Sequence, residues 1–266
     1  IGARVDQPQP PRRVTRIVGL PVQRSIGLVV IGAGEDVRAV LPARGRKIAI
    51  VCSSSTQAAR DNPYGASKRA AEEVLRAFAA RTGAAAHVFR LPNVFGKWCR
   101  PNYNSAVATF CHNIARGLPI QINDPAAPVT LVYVDDVVER FIELMDGADA
   151  AVDAEGFATV TPQYTTTVGE IAGLIETFRA SRDTLVTERV GTGLVRALYS
   201  TYVSYLPPER FAYPVPMHGD ARGVFVEMLK TPDCGQFSFF TAHPGITRGG
   251  HYHHTKTEKF LVIKGE

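Results

Sequence analysis

The pattern of apolar and polar positions divides the chain into three stretches. Between residues 47 and 207, short apolar runs alternate with longer amphipathic runs, which predicts strands connected by helices and therefore an α/β sheet. Strands are predicted at 48–51, at 87–91 and near Ile120 and Leu131. Helices are predicted at 63–81, 105–116, 134–145 and 167–181.

A different pattern begins after the two prolines at 207 and 208. Short alternating runs at 223–227 and 236–240, rich in Gly and aromatic residues, predict strands of an all-β domain. We therefore predict one domain at 47–207 and a second at 208–266.

Residues 1–46 fit neither pattern. Eight arginines and five prolines interrupt them, and no long hydrophobic period is present. The apolar run 26–31 could be a strand that enters a turn at Gly32-x-Gly34, but Val37 stands where a dinucleotide-binding fingerprint has its third glycine. We interpret this atypical segment as either disordered or a remnant of a Rossmann unit, and a shifted reading frame is one hypothesis for its origin.

Charge and composition exclude several classes of protein. The net charge is +5, but residues 1–47 hold eight arginines and one lysine against three acidic residues, so their +6 leaves −1 for the rest. The remainder therefore offers no basic face, and we exclude nucleic-acid binding. No apolar run reaches the roughly eighteen residues that a membrane span needs, and no secretory signal is visible. Four scattered cysteines without a C-x-x-C pair indicate reduced thiols and predict a cytoplasmic protein.

The helix predicted to start at Asn62-Pro63 carries the first candidate chemistry. Tyr64 and Lys68 are four residues apart and so share one face of that helix. A nearby ammonium stabilises a phenolate, which lets Tyr64 give or take a proton, as the reduction of a carbonyl requires. Ser55, at the end of the preceding strand, can hydrogen-bond the same substrate oxygen. A solvated Tyr–Lys pair without a catalytic role is the alternative interpretation.

These residues resemble the Ser-Tyr-Lys triad of extended short-chain dehydrogenases/reductases, in the nucleotide-sugar epimerase and dehydratase group. The resemblance implies a Rossmann-like domain, here N-terminally incomplete, in which Ser55, Tyr64 and Lys68 are catalytic and the cofactor is NADPH. The segment from Arg90 to Gly96 resembles the one that lines the nicotinamide and approaches the sugar diphosphate in that family. The implied cofactor contacts are Tyr64, Lys68, Pro92, Asn93 and Val94.

The loop from Gly96 to Asn104 combines the single tryptophan of the chain with cations and amides. Stacking and amide hydrogen bonds suit a uracil ring, and Lys97 or Arg100 suits a diphosphate. The alternative is a packed loop whose tryptophan belongs to the core. Further along, we interpret the pair Asp135-Asp136 as a helix cap with no catalytic role. The predicted substrate contacts are Asn93, Lys97, Trp98, Arg100, Asn102 and Asn104.

Histidines cluster near the end of the sequence. In a β-strand, His251 and His253 would point to one face and His254 to the other, and a turn through 255–257 could return Glu258 to the first face. Two imidazoles and a carboxylate suit Zn²⁺, Fe²⁺ or Mn²⁺. The spacing G-x5-H-x-H-x4-E-x6-G resembles the first motif of cupins, which end their next strand at the last glycine, here Gly265. We therefore predict a partial cupin at 208–266 with zinc on His251, His253 and Glu258, and a further ligand outside the sequence, which stops at Glu266.

Together the two halves resemble the CapF-type bifunctional enzymes of bacterial capsule and O-antigen synthesis. The resemblance implies a UDP-linked 4-keto-6-deoxy-N-acetylhexosamine as substrate. The cupin would epimerise its carbon 3, and the reductase would then reduce carbon 4 with NADPH to give UDP-N-acetyl-6-deoxy-L-talosamine. It also implies a homodimer in the intact family.

Part of the family pattern is missing from the sequence, so we expect impaired activity. Two other interpretations stay open. One is a non-catalytic fragment or sugar-nucleotide-binding scaffold, and the other is a metal-dependent cupin oxygenase.

Overall fold

The predicted α/β alternation is present in the computed structural model, which describes residues 28–31 and 49–265. Strands β1 (Leu28–Ile31), β2 (Ala49–Ser55) and β3 (Ala86–Leu91) form a parallel sheet in that order. A second sheet joins β4 (Asn93–Phe95), β5 (Pro128–Tyr133) and β6 (Gln163–Thr167), in which β4 is parallel and β6 antiparallel to β5. The chain passes from β3 into β4 through a single residue, Pro92.

Local sequence signals explain where the helices begin and end. The Asn62 side chain accepts a hydrogen bond from the Gly65 amide at 2.7 Å, and Gly83 ends the same helix in the left-handed conformation. Thr167 and Glu170 form a reciprocal capping box at the start of another helix. The α-helices of the described residues are α1 (Pro63–Thr82), α2 (Ala106–Ala115), α3 (Val134–Met145), α4 (Val168–Thr184) and α5 (Gly193–Val203), and single 3-10 turns lie at Thr56–Ala59 and Pro208–Arg210.

Apolar side chains form the core on both sides of the strands. The largest cluster joins α2, α4 and α5 to β4 and β5, with Ile175, Phe178 and Leu198 almost fully buried. Smaller clusters pack β2 and β3 against α1 and α3. This packing fixes the ends of β2, β3 and β4, where the candidate site residues lie.

The C-terminal part contains an antiparallel sheet of β7 (Met217–Asp220), β8 (Gly223–Thr231) and β9 (Gly235–Phe240). The runs predicted as strands at 223–227 and 236–240 fall in β8 and β9. The Thr187 amide donates to the Lys230 carbonyl at 2.8 Å, and the Lys230 amide donates to the Leu185 carbonyl at 2.7 Å. The segment after α4 therefore pairs with the edge of β8. The predicted domain boundary near residue 207 stays a prediction.

Several sequence predictions were wrong. Ile120 lies in a loop packed against the core, not in a strand. Asp135 and Asp136 lie in the first turn of α3, where their charge meets the helix dipole, but neither caps it, since the N-cap residue is Tyr133 and no side-chain capping hydrogen bond is made. No strand contains the histidines at 251–254 or ends at Gly265. Strands β4 and β6 and helix α5 were not predicted.

The Gly32-x-Gly34 turn and most of the predicted N-terminal segment lie outside the described residues, although β1 confirms part of the strand expected at 26–31. Within the described residues, no helix combines the length and apolar character needed to cross a bilayer.

Candidate active site and metal centre

The structure brings Tyr64 and Lys68 together with the serines at the end of β2. The Lys68 Nζ lies 3.4 Å from the Ser53 carbonyl oxygen and 5.5 Å from the centroid of the Tyr64 ring. The Tyr64 side chain is half exposed, at 49%. Ser55 ends β2, and its hydroxyl accepts a hydrogen bond from the Gln57 amide at 3.2 Å. Lys68 on α1 therefore lies against the end of β2, with the Tyr64 ring beside its ammonium and Ser55 two residues beyond Ser53 along the strand.

Close packing holds the first turn of α1 against the loop that follows β2. A Cβ on Gly65 would overlap the carbonyl oxygens of Gln57 and Arg60, so only glycine allows this approach. Arg69 reaches back from α1, and its Nη1 donates to the Arg60 carbonyl at 2.7 Å. The position of Tyr64 is therefore set by contacts on both sides of it.

The junction between β3 and β4 lies beside the same serines. In the parallel register Ser55 pairs with Leu91, which places Pro92 and Asn93 immediately next to Ser55. Pro92 is buried, whereas Asn93 is exposed and its Nδ2 donates to the Thr130 carbonyl at 3.0 Å. Val94 is 38% exposed. Pro92, Asn93 and Val94 thus lie where β3 passes into β4, next to the end of β2, whereas Tyr64 and Lys68 lie on α1.

The loop after β4 presents its tryptophan to solvent. Trp98 is 79% exposed, so the interpretation of a core tryptophan was wrong. Trp98 and Asn102 both adopt positive φ angles, 60° and 54°, a strained conformation for residues other than glycine. Lys97 pairs with Asp135 at 2.8 Å, and that hydrogen bond raises the pKa of the Lys97 ammonium. The Arg100 guanidinium lies 5.5 Å from the Tyr103 ring centroid.

A cavity of about 110 Å³ lies between β4, the start of α2 and the start of α4. Asn93, Val94 and Asn104 line it together with Ser105, which caps α2 by accepting from the Ala108 amide at 3.2 Å. A helix N-terminus favours negatively charged groups. The structure thus gathers Asn93 and Asn104 around one cavity, whereas Lys97, Trp98, Arg100 and Asn102 do not line it.

Sequence reasoning missed a buried ionic group beneath the catalytic candidates. Glu72 is only 4% exposed and pairs with Arg90, while the Ser54 hydroxyl donates to the same carboxylate. A usable signal was available, because Glu72 lies four residues after Lys68 and so continues the face of α1 that carries Tyr64 and Lys68.

The three predicted metal ligands converge although no strand carries them. The ligand atoms of His251, His253 and Glu258 lie within 4.8 Å of one another, and His253 Nε2 is 3.2 Å from Glu258 Oε1. His254 instead stacks edge-on against Tyr252, with ring centroids 5.0 Å apart. This set of two imidazoles and one carboxylate fits zinc chemistry. Its carboxylate also pairs with Lys256 at 3.2 Å, and that hydrogen bond lowers the pKa of Glu258.

The fold and the serine, tyrosine and lysine at its open edge define an α/β, Rossmann-like protein of the epimerase and short-chain dehydrogenase/reductase class. Residues 43–157 match the NAD dependent epimerase/dehydratase family, which indicates a nicotinamide cofactor. Residues 218–266 match the polysaccharide biosynthesis C-terminal domain.

The chain is also similar to individual proteins of this class. The UDP-2-acetamido-2,6-beta-L-arabino-hexul-4-ose reductase of Pseudomonas aeruginosa is 64% identical over 222 residues, which cover 83% of this chain and 59% of the relative. A crystal structure of the capsular polysaccharide assembling protein CapF from Staphylococcus aureus has 46% identity and a TM-score of 0.75 over 79% of this chain and 58% of that protein. Another crystal form has 42% identity and a TM-score of 0.68, over 79% of this chain and 56% of the other.

Over most of its length the chain is similar to these CapF-type proteins, and residues 43–157 match the NAD dependent epimerase/dehydratase family. The chain spans about three fifths of the length of the relatives it matches.

Proposed function

We propose that this chain carries the reductase of a CapF-type enzyme, which reduces the carbon-4 ketone of a UDP-linked 4-keto-6-deoxy-N-acetylhexosamine to UDP-N-acetyl-6-deoxy-L-talosamine. The observation that carries the proposal is the contact of Lys68, with the Tyr64 ring beside it, at the end of the strand that Ser55 terminates. It is supported by the relative with 64% identity, which is named as a reductase of a UDP-linked hexul-4-ose.

The proposed roles follow from the chemistry of the three side chains. Tyr64 donates its phenolic proton to the ketone oxygen as that oxygen gains negative charge. Lys68 stabilises the phenolate left behind, and Ser55 hydrogen-bonds the same oxygen and holds it in place. NADPH, when bound, supplies the hydride. The half-exposed phenol of Tyr64 and the part-buried ammonium of Lys68, together with Pro92, Asn93 and Val94, fit the nicotinamide half of this cofactor.

The cavity beside Asn93 and Asn104 is the proposed site for part of the nucleotide. Its amides suit a uracil edge, and the N-terminus of α2 suits a phosphate. The exposed Trp98, with Lys97, Arg100 and Asn102, would contact the remainder when the loop closes over the ligand. An exposed aromatic ring in a strained loop supports a binding role, because neither feature contributes to the packing of the core.

The second proposed activity is epimerisation at carbon 3 by a cupin at 208–266. A proton on carbon 3 lies next to the carbon-4 ketone, so removal of this proton gives an enolate, which needs stabilisation. Zinc on His251, His253 and Glu258 would supply that stabilisation as a Lewis acid. The converging ligand atoms support the metal, and the match to the polysaccharide biosynthesis C-terminal domain supports a second functional part.

The test of the reductase follows NADPH consumption with the UDP-linked ketone supplied in its L-arabino form, which separates reduction from epimerisation. We expect turnover at the impaired rate that the sequence predicts, and a further loss of about a hundredfold or more in Tyr64→Phe, which keeps the ring and removes the proton donor. Tyr213→Phe is the matched control, because Tyr213 is exposed and lies outside the site. Equal rates in Tyr64→Phe and the parent chain would refute the proposal.

Two measurements separate the other interpretations. Titration with UDP should quench the fluorescence of Trp98, the single tryptophan, and quenching without turnover would indicate a nucleotide-sugar-binding scaffold. Oxygen uptake during incubation with the UDP-sugar would indicate a metal oxygenase. We expect quenching with turnover and without oxygen uptake.

A further inference from the structure

A single buried carboxylate joins α1 to the ends of β2 and β3. Glu72 Oε1 accepts hydrogen bonds from the Ser54 hydroxyl and from Arg90 Nε, the latter at 3.1 Å, and Oε2 accepts from Arg90 Nη2 at 2.8 Å. The guanidinium therefore binds the carboxylate through two parallel hydrogen bonds, the strongest and most directional form of this pair. With 4% of Glu72 exposed, solvent screens these contacts very little.

The guanidinium is itself fixed on its other side. The Arg90 Cζ lies 3.7 Å from the centroid of the Phe157 ring, and Arg90 Nη1 lies 3.4 Å from Glu155 Oε2. Cation–π stacking on Phe157 and the contact with Glu155 hold the plane of the guanidinium, so Arg90 binds Glu72 in a fixed orientation.

The three partners lie next to the three segments of the proposed site. Glu72 follows Tyr64 and Lys68 on α1 at intervals of four residues, Ser54 precedes Ser55, and Arg90 is the last residue but one of β3, just before the cofactor contacts at 92–94. Burying a carboxylate carries a desolvation cost that an apolar side chain at this position would not have. The ionic group fixes the orientation of α1, because the carboxylate can accept hydrogen bonds from Ser54 and Arg90 only at one rotation of the helix about its axis and one position along it.

We propose that Glu72 is a positioning residue, whose clamp on Ser54 and Arg90 sets the helix that carries Tyr64 and Lys68 in register with Ser55 and Asn93. The inference rests on the proposed reductase activity. The clamp acts through geometry alone, since Glu72 touches neither the phenol nor the substrate position. An error of about 1 Å in the placement of reacting groups can cost about a hundredfold in rate.

The first test compares Glu72→Gln and Glu72→Asp in the full chain, with kcat and KM measured separately. Glutamine keeps the shape but turns one acceptor into a donor that faces Arg90, and aspartate keeps the charge but cannot reach both partners. We expect kcat to fall about tenfold or more in both variants, with KM for the UDP-sugar within about twofold. Phe178→Leu is the control for lost stability, because Phe178 is buried in the cluster around α5. An unchanged kcat in both Glu72 variants overturns the inference.

The second test does not need turnover. Crystal structures of the parent chain and of Glu72→Gln give the distance from Lys68 Nζ to the Ser53 carbonyl, which is 3.4 Å in the parent. We expect this contact to break in the variant, and an unchanged contact overturns the inference. If the parent chain shows no turnover, the proposed reductase fails, and this distance alone decides the role of Glu72.

If a Glu72 variant does not fold, milder substitutions of its two partners test the same inference. Ser54→Ala removes one donor, and Arg90→Lys replaces the two-pronged fork with a single ammonium. In both variants kcat should fall less than in the Glu72 variants, and it should fall more in Arg90→Lys than in Ser54→Ala. A loss of stability without any fall in kcat overturns the inference.

Discussion

The phenol of Tyr205 donates a hydrogen bond to the main-chain carbonyl of Cys99. This contact ties the segment after α5 to the loop that presents Trp98. The Tyr205 carbonyl in turn accepts from Arg116 Nη1 at 2.9 Å, so Tyr205 is held at its main chain while its side chain holds the loop. A buried residue, Tyr205, therefore anchors the loop that presents the exposed Trp98.

Removing this phenol should loosen the loop. In Tyr205→Phe we expect the free energy of unfolding to fall by about 1–2 kcal/mol, because the Cys99 carbonyl loses its donor. We also expect weaker quenching of Trp98 by UDP, since the loop is less ordered before it binds. Chemical denaturation and UDP titration measure the two effects. Tyr213→Phe, which removes an exposed phenol, should show neither.

The same phenol makes stability sensitive to alkaline pH. Burial raises the pKa of Tyr205 to about 12, above the value of about 10 for a tyrosine in an unfolded chain. Its contribution to stability is therefore complete below about pH 10 and is lost as the pH rises from about 10 through about 12. Burial also raises the pKa values of Tyr202 and Cys111, so their contributions to the free energy of unfolding likewise decrease at alkaline pH. The difference in unfolding free energy between the parent and Tyr205→Phe isolates Tyr205, and it should shrink across that window.

Two glycines should respond in opposite ways to alanine. A Cβ on Gly96 would overlap Val134 Cγ1 and lie 2.9 Å from Val134 Cβ, at the packed start of α3. Gly96→Ala should therefore destabilise the fold by about 1–3 kcal/mol. A Cβ on Gly173 meets nothing within 4 Å, so Gly173→Ala in α4 should stabilise by about 0.5–1 kcal/mol through helix propensity. Thermal unfolding of both variants checks the pair, and equal shifts would contradict this packing.

The metal prediction has a matched control in the adjacent histidine. We expect about one zinc per chain, lost in His253→Ala and retained in His254→Ala, whose ring lies against Tyr252 instead. Binding should weaken as the pH falls, because imidazole must be deprotonated to bind the metal. Metal analysis after dialysis measures both effects. Equal zinc in the two variants would rule out the ligand set.

Much of the fold followed from signals that act within a few residues. Asn62 and Thr167 cap helices through their own side-chain hydrogen bonds, and the helices predicted at 63–81 and 167–181 are present with ends within three residues of the predicted ones. Helix α5 was missed because β-branched and aromatic residues weaken its intrinsic propensity. Packing stabilises it instead, with Phe178 5.2 Å from the Tyr199 ring.

In the candidate site too, local features could be predicted from the sequence and tertiary contacts could not. The spacing of Tyr64 and Lys68 on one helix was visible in the sequence, whereas the partners of Glu72 lie eighteen residues away in opposite directions and depend on tertiary structure. The histidines converge as expected, but not by strand alternation. A strand needs a hydrogen-bonded neighbour, and within the described residues the segment at 251–254 has none.

The contact between Thr187 and Lys230 leads to a prediction about how the two parts depend on each other. Thr187→Pro removes the amide that donates to the Lys230 carbonyl, so the edge of β8 should open. We expect the Lys230 amide, which donates to Leu185, to lose protection from hydrogen exchange before the amides of β2 do. Arg189→Ala is the control, because it removes only the exposed pair with Asp233 and should change stability by less than about 1 kcal/mol. Unchanged protection of the Lys230 amide in Thr187→Pro would show that the C-terminal sheet is stable without the segment after α4.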